Sequence, residues 1–86
     1  MSASGIFLVG QTLDISTYYE IAIWTNDNVT LPLPKILVSN DNVVWCEYGL
    51  LKSNYQYLAT LMGNYIKVEN PSQPDMVIHY NANLKK

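Results

Sequence analysis

The sequence predicts a small α+β domain in which three or four short strands pack on one amphipathic helix over about residues 43–67. Two observations predict it. From Val44 the apolar residues Val44, Tyr48, Leu51, Tyr55, Leu58, Met62 and Tyr65 step by four and three, the spacing of a helix stripe. Elsewhere the apolar residues come in short β-branched or aromatic runs bounded by Gly, Pro, Asn and Ser, which is how strands are written. A mostly helical domain, with residues 6–24 also helical, is the alternative.

Taken in order, Gly5-Ile6-Phe7-Leu8-Val9 is a continuous apolar run between Gly5 and Gly10 and suits a buried strand. Thr17-Tyr18-Tyr19-Glu20 has the form of a capping box, whereas Ile21-Ala22-Ile23-Trp24-Thr25 prefers extended structure, so the two signals conflict. Asn26-Asp27-Asn28 reads as a turn that joins this strand to Val29-Thr30-Leu31 in a hairpin. Pro32 and Pro34 lack the amide a ladder needs, so that arm must end early or lie at an edge, and Lys35-Ile36-Leu37-Val38 resumes it. Ser39-Asn40-Asp41-Asn42 supplies four N-cap residues ahead of the helix, with a break near Ser53-Asn54 as the variant. Asn70-Pro71-Ser72-Gln73-Pro74 is a loop, Met76-Val77-Ile78-His79-Tyr80 a last short strand, and 81–86 a tail expected to fray.

Eighty-six residues allow one domain, with a core small enough that burial against a partner would add materially to stability. Hydrophobic residues make up 49 %, an ordinary share, but charged residues only 14 %, against about 25 % in an average domain. Disorder is excluded by seven Tyr, two Trp and many aliphatic residues at a net charge of -2. Cys46 is the single cysteine, so no disulfide forms within the chain. No apolar run approaches a membrane span and no basic leader precedes the first one, so a cytoplasmic location is expected, in a host cell or virion if the protein is viral. All five basic residues are lysines. The absence of arginine, together with the acidic balance, argues against nucleic acid as a partner.

No motif here specifies a reaction, a cofactor or a metal. Cys46 and His79 are the one nucleophile and the one imidazole base, and a cysteine enzyme would need them within hydrogen-bond reach. A packed or incidental cysteine is the commoner use, and Glu47 beside it opposes a thiolate. One imidazole and one thiol do not make a zinc set, the seven carboxylates show no paired spacing, and the glycines form no phosphate cradle. Trp45 with Asn54-Tyr55-Gln56-Tyr57-Leu58 resembles the Trp…Asn-Tyr-x-Trp-Leu stretch of pyrimidine-dimer DNA glycosylases. The His-Pro before that tryptophan and the acidic catalytic helix of the family are missing, so the resemblance is confined to this stretch.

The helix predicted over 43–67 carries an unusual second strip, Gly49, Ser53, Gln56, Thr60 and Gly63, also spaced by four and three. A solvated helix face carries Glu and Lys; small neutral residues suit a closely approaching backbone, from the chain's own loops or from another molecule. These five are therefore the candidate interface. The functional expectation is a non-enzymatic protein–protein interaction or assembly factor, such as a small viral or phage structural or accessory protein, acting with a protein partner or as a homo-oligomer. An inhibitor of a host or competitor protein and a small Cys46–His79 enzyme are the alternatives. With no arginine and an acidic balance, the protein should show no salt-dependent affinity for single-stranded or duplex DNA; a fluorescence-anisotropy titration giving micromolar binding that weakens steeply with salt would contradict this.

Overall fold

The computed structural model describes residues 2–52, 56–59 and 63–84. Among these residues the protein is all-β, with two four-stranded antiparallel sheets. The first sheet is ordered β1 (Ser2–Leu8), β8 (Val77–Leu84), β3 (Tyr18–Trp24) and β6 (Gln56–Ala59). The second is ordered β2 (Leu13–Asp14), β7 (Tyr65–Glu69), β4 (Lys35–Ser39) and β5 (Cys46–Leu50).

The α+β expectation is thus overturned, and so is its mostly helical alternative. In place of the 43–67 helix, β5, β6 and the start of β7 follow one another. The reason lies in residue type. Val43, Val44, Trp45, Tyr48, Tyr55, Tyr57, Tyr65 and Ile66 are β-branched or aromatic, with side chains that lose rotamer freedom in a helix and fit a pleated surface. The scarcity of charge over 43–67, which suggests an interface when the segment is read as a helix, is equally a scarcity of the Glu and Lys that a surface helix uses. Gly63-Asn64 breaks the stretch just ahead of β7, and the four-and-three spacing survives as coincidence.

Two further expectations change for related reasons. The capping box at Thr17 starts no helix, because Tyr18–Trp24 is strand β3 and its β-branched and aromatic content prevails. The arm at 29–31 is not a strand; its segment is held by side chains instead. Gln73 Oε1 accepts from the Thr30 amide (3.1 Å) and hydroxyl (3.2 Å), while Gln73 Nε2 donates to the Asn28 carbonyl at 2.6 Å. At its start, Thr25 Oγ1 donates to the Val77 carbonyl (2.9 Å) and Asp27 Oδ2 accepts from the Val77 amide (3.2 Å). β8 also continues through Leu84, past the point where fraying is expected from sequence.

The core lies between the sheets. Ile21 and Ile23 of β3, Ile36 and Val38 of β4, Ile66 and Val68 of β7, and Ile78 and Ala82 of β8 alternate inward at the strand period of two, with Phe7, Ile15, Leu51 and Met76 closing the cluster. Tyr80 joins it from β8, its ring tilted against Phe7 and Tyr18. Burial pushes the Tyr18 phenol pKa up, with Tyr80 adding to the effect.

The chain changes sheet at every connection except β4 to β5. Gly10 makes the first crossing in a left-handed conformation (φ 86°), its amide donating to the Val68 carbonyl of the other sheet at 2.9 Å. Gly63 serves a different need. It is buried, and a Cβ there would stand 2.9 Å from the Ser39 carbonyl oxygen, so the residue lets the approach to β7 lie against the end of β4.

Replacing Ile66 with Ala should therefore destabilise the fold by about 2–5 kcal/mol in a denaturant melt, through lost burial and a residual cavity. Gly63→Ala should cost about 1–3 kcal/mol, since the obstructing atoms are backbone and do not swing aside. A wild-type melt for Gly63→Ala would show that the 63–64 segment is free to move away from Ser39.

Candidate functional site

Residues directly opposed in an antiparallel ladder share a face of the sheet, so the register assigns a strand residue its side. On the outward face of the first sheet the rows run Leu8 with Val77; Ile6, His79 and Trp24; Ser4, Asn81 and Ala22; and Asn83 with Glu20. On the outward face of the second sheet lie Asp14, Tyr65 and Ser39; Lys67, Leu37 and Glu47; and Glu69, Lys35 and Leu50.

The two faces differ in charge. The second carries Asp14, Lys35, Glu47, Lys67 and Glu69. Lys35 pairs with Glu47 at 3.1 Å, and Lys67 Nζ stands 4.4 Å from the Trp45 ring centroid, with Leu37 buried beneath this layer. That is a solvated surface, and the exposed ion pair contributes little to stability. Among its described residues the first sheet's outward face has a single charge, Glu20, whose Oε1 accepts from Asn83 Nδ2 at 2.6 Å. Its middle row stacks Trp24 on His79, with ring centroids 5.7 Å apart and planes at 14°. The Asn26 amide nitrogen is 3.4 Å from His79 Nε2 and donates to it when the imidazole carries its proton on Nδ1. Beside this stack Ile6 is 61 % exposed and Leu8 41 %. Large aliphatic side chains held that open on a charge-poor sheet are the features of a docking face.

The sequence-derived candidates fall elsewhere. Gly49 is half-buried on β5, opposite Ile36 of the second sheet, whereas Gln56 is on β6, opposite Ile23 of the first. Gly63 is buried against Ser39 of its own chain. Ser53 and Thr60 lie outside the described residues. Without the helix that would have gathered them, Gly49, Gln56 and Gly63 do not share one strip. Cys46 and His79 are not brought together either: they belong to different sheets, and His79 packs on Trp24. Among the described residues no group of His, Cys, Asp and Glu is arranged to hold a metal ion, and no helix is long and apolar enough to cross a membrane.

Two hollows remain. An open cleft of about 560 Å³ at one end of the sandwich is lined by Val9, Gly10, Pro32, Leu33, Pro71 and Pro74, with Lys35, Glu69 and Asn70. Of its polar lining, Lys35 is already paired with Glu47 and the Asn70 amide donates toward Gln73 Oε1 (3.3 Å) and Met76 Sδ (3.7 Å), which leaves the Glu69 carboxylate. A smaller hollow of about 170 Å³ lies among Val38, Ser39, Asn40, Asp41, Val44 and Cys46. Its rim is the turn that the sequence presents as a helix cap. The capping chemistry is real, but it closes a loop: Asp41 Oδ1 accepts from the amides of Val43 and Val44, both at 2.9 Å, and from Ser39 Oγ at 3.0 Å. Asn42 takes the left-handed conformation (φ 63°) that this turn requires.

No protein family, curated protein sequence or solved structure matches this chain. The functional reading therefore rests on its surfaces.

Sequence reasoning singles out none of Ile6, Leu8 and Trp24, and it weighs His79 only as a base for Cys46. Alternation of Ser4, Ile6 and Leu8 against Gly5 and Phe7 is visible in the sequence, but the unbroken apolar run suggests burial on both faces. The Trp24–His79 pairing needs the register, which joins residues fifty-five positions apart in the chain.

The Asp41 carboxyl is held below its ordinary value by the Val44 amide first, then by the Val43 amide and the Ser39 hydroxyl. A carboxylate depressed by folding stabilises the turn above the unfolded-state pKa and loses that contribution as pH falls through the folded one. An NMR titration should place the Asp41 midpoint below 3.8, and Ser39→Ala should move it upward. A midpoint at or above 3.8 would mean that the turn is open in solution.

Proposed function

We propose that this domain is a non-enzymatic protein–protein interaction or assembly module working through the outward face of its first sheet. The segregation of charge carries the reading. The second sheet spreads Lys and Glu over its outside, as a surface kept in water does, while the first presents Ile6, Leu8, the Trp24–His79 stack and the amides of Asn81 and Asn83 with one hydrogen-bonded carboxylate. Aromatic enrichment and depletion of charge are what distinguish the centre of an interface from the rest of a surface. Small size points the same way, because a domain of 86 residues gains proportionally more from burying one face against a partner.

A cysteine enzyme draws no support from the positions of Cys46 and His79 in different sheets. Nucleic acid is disfavoured by the same face, whose described residues include no lysine and offer nothing to neutralise phosphate.

Sedimentation velocity from micromolar to near-millimolar protein tests the reading as an assembly module. Association should rise with concentration, and Ile6→Glu should suppress it without lowering the melting temperature, since the side chain projects into solvent. A wild-type chain that stays monomeric throughout, or an Ile6→Glu variant that associates as before, would remove the basis for assembly through this face.

A further inference from the structure

The edge of the first sheet narrows the proposed interaction to a definite partner and geometry, which hold only if the domain is an interaction module. β1 pairs with β8 alone among the described strands, so its other side is a sheet edge that stays open as far as Leu8, where Gln11 closes it. Proteins blunt such edges with charge, proline, a bulge or extreme shortness. Ser2–Leu8 has no charged residue and no proline, and its pairing to β8 runs without a register shift. By contrast, the open edge of the second sheet at β2 is two residues long, and β5 carries Glu47 and a bulged register.

The direction of the free backbone groups is fixed by neighbouring bonds. The Val9 amide donates toward β8, to the Met76 carbonyl at 3.4 Å. The Leu8 amide instead donates to Gln11 Oε1 at 2.9 Å, and the Leu8 carbonyl accepts from the Gln11 amide at 3.0 Å. Backbone groups alternate along a strand. The amides and carbonyls of Ile6, Ser4 and Ser2 therefore face away from β8, and Gln11 caps the last outward pair at Leu8.

We infer that β1 pairs antiparallel with β1 of a second copy about a two-fold axis at Gly5, joining two first sheets into one continuous sheet. This register sets Ser4 opposite Ile6 of the other copy and Ile6 opposite its Ser4, and it stops short of Leu8, whose outward backbone groups Gln11 already holds. Four amide–carbonyl bonds form at these two pairs, two at each as antiparallel geometry provides. The two Ile6 side chains become diagonal neighbours on the outward face, within reach of each other. No charged side chain of either β1 opposes another, and the charged second-sheet faces stay outside the joint. A foreign strand would use the same edge; a second copy meets it with a strand equally free of charge and proline.

Ser4→Pro isolates the pairing, because it deletes an outward amide that β8 does not use, and proline is tolerated where a strand's amide faces solvent. The variant should melt like the wild type yet raise the dimer Kd by about tenfold or more, having lost half of the joining bonds by symmetry. In a Cys46→Ser background, a mixture of Ser4→Cys and Ile6→Cys chains should be joined by a short bismaleimide, whereas Leu50→Cys chains, labelled on the second sheet, should not. Cross-linking through position 50 in place of 4 and 6, or a folded Ser4→Pro variant that dimerises as before, would overturn β1 pairing while leaving an interaction module intact. A monomer at every concentration would overturn both.

Discussion

The first sheet depends on the seating of β8 between β1 and β3. The last strand of the chain is inserted between the first and the third, and supplies both of them with a partner. Its inward residues Ile78, Tyr80 and Ala82 reach Phe7, Tyr18 and the isoleucines of β3, and its outward residues His79, Asn81 and Asn83 form the middle column of the neutral face. Core and candidate surface are thus two sides of one strand. A one-residue slip of β8 would exchange them, placing His79 and Asn81 in the apolar layer, and the cost of burying those polar groups is what holds the register.

Because the chain crosses between sheets at nearly every connection, its ladders join segments distant in sequence, and closing them costs chain entropy before burial repays it. The loops accordingly carry their own ties. Gln73 gathers Thr30, Asn28 and Asn70 into one knot, and Asp41 organises the β4–β5 turn. These local hydrogen bonds satisfy backbone groups that have no ladder partner. The proline-lined cleft belongs to the Gln73 end of the molecule, where Pro32, Pro71 and Pro74 stand beyond the last paired residues.

An unguarded edge beside a charge-poor face is a liability in a monomer and an asset in an assembly. The small charged fraction of the composition has a spatial meaning here: what charge the described strands carry is gathered almost wholly on the second sheet. A partner that covered the first sheet would find few ions to desolvate there, and the Glu20 carboxylate already has Asn83 as a donor.

Several strands are legible in the sequence because their residues state the preference locally. Residues 5–9, 21–25, 36–38 and 76–80 are β-branched or aromatic runs between turn formers, and each lies wholly or largely on β1, β3, β4 or β8. The single cysteine and the poverty of charge also follow from composition alone. The region 43–67 misleads because periodicity weighs only which positions are apolar, and a few coincidences of spacing imitate a helix. Its aromatic content and missing surface charge are the better guide. Tertiary structure alone decided the rest: that Gly63 makes room for Ser39, that Cys46 and His79 sit in separate sheets, and that Ile6, Trp24 and His79 meet in one row. Sequence carries the pleat of each strand but not its neighbour, and with a period of two the neighbour determines which side of a residue meets water.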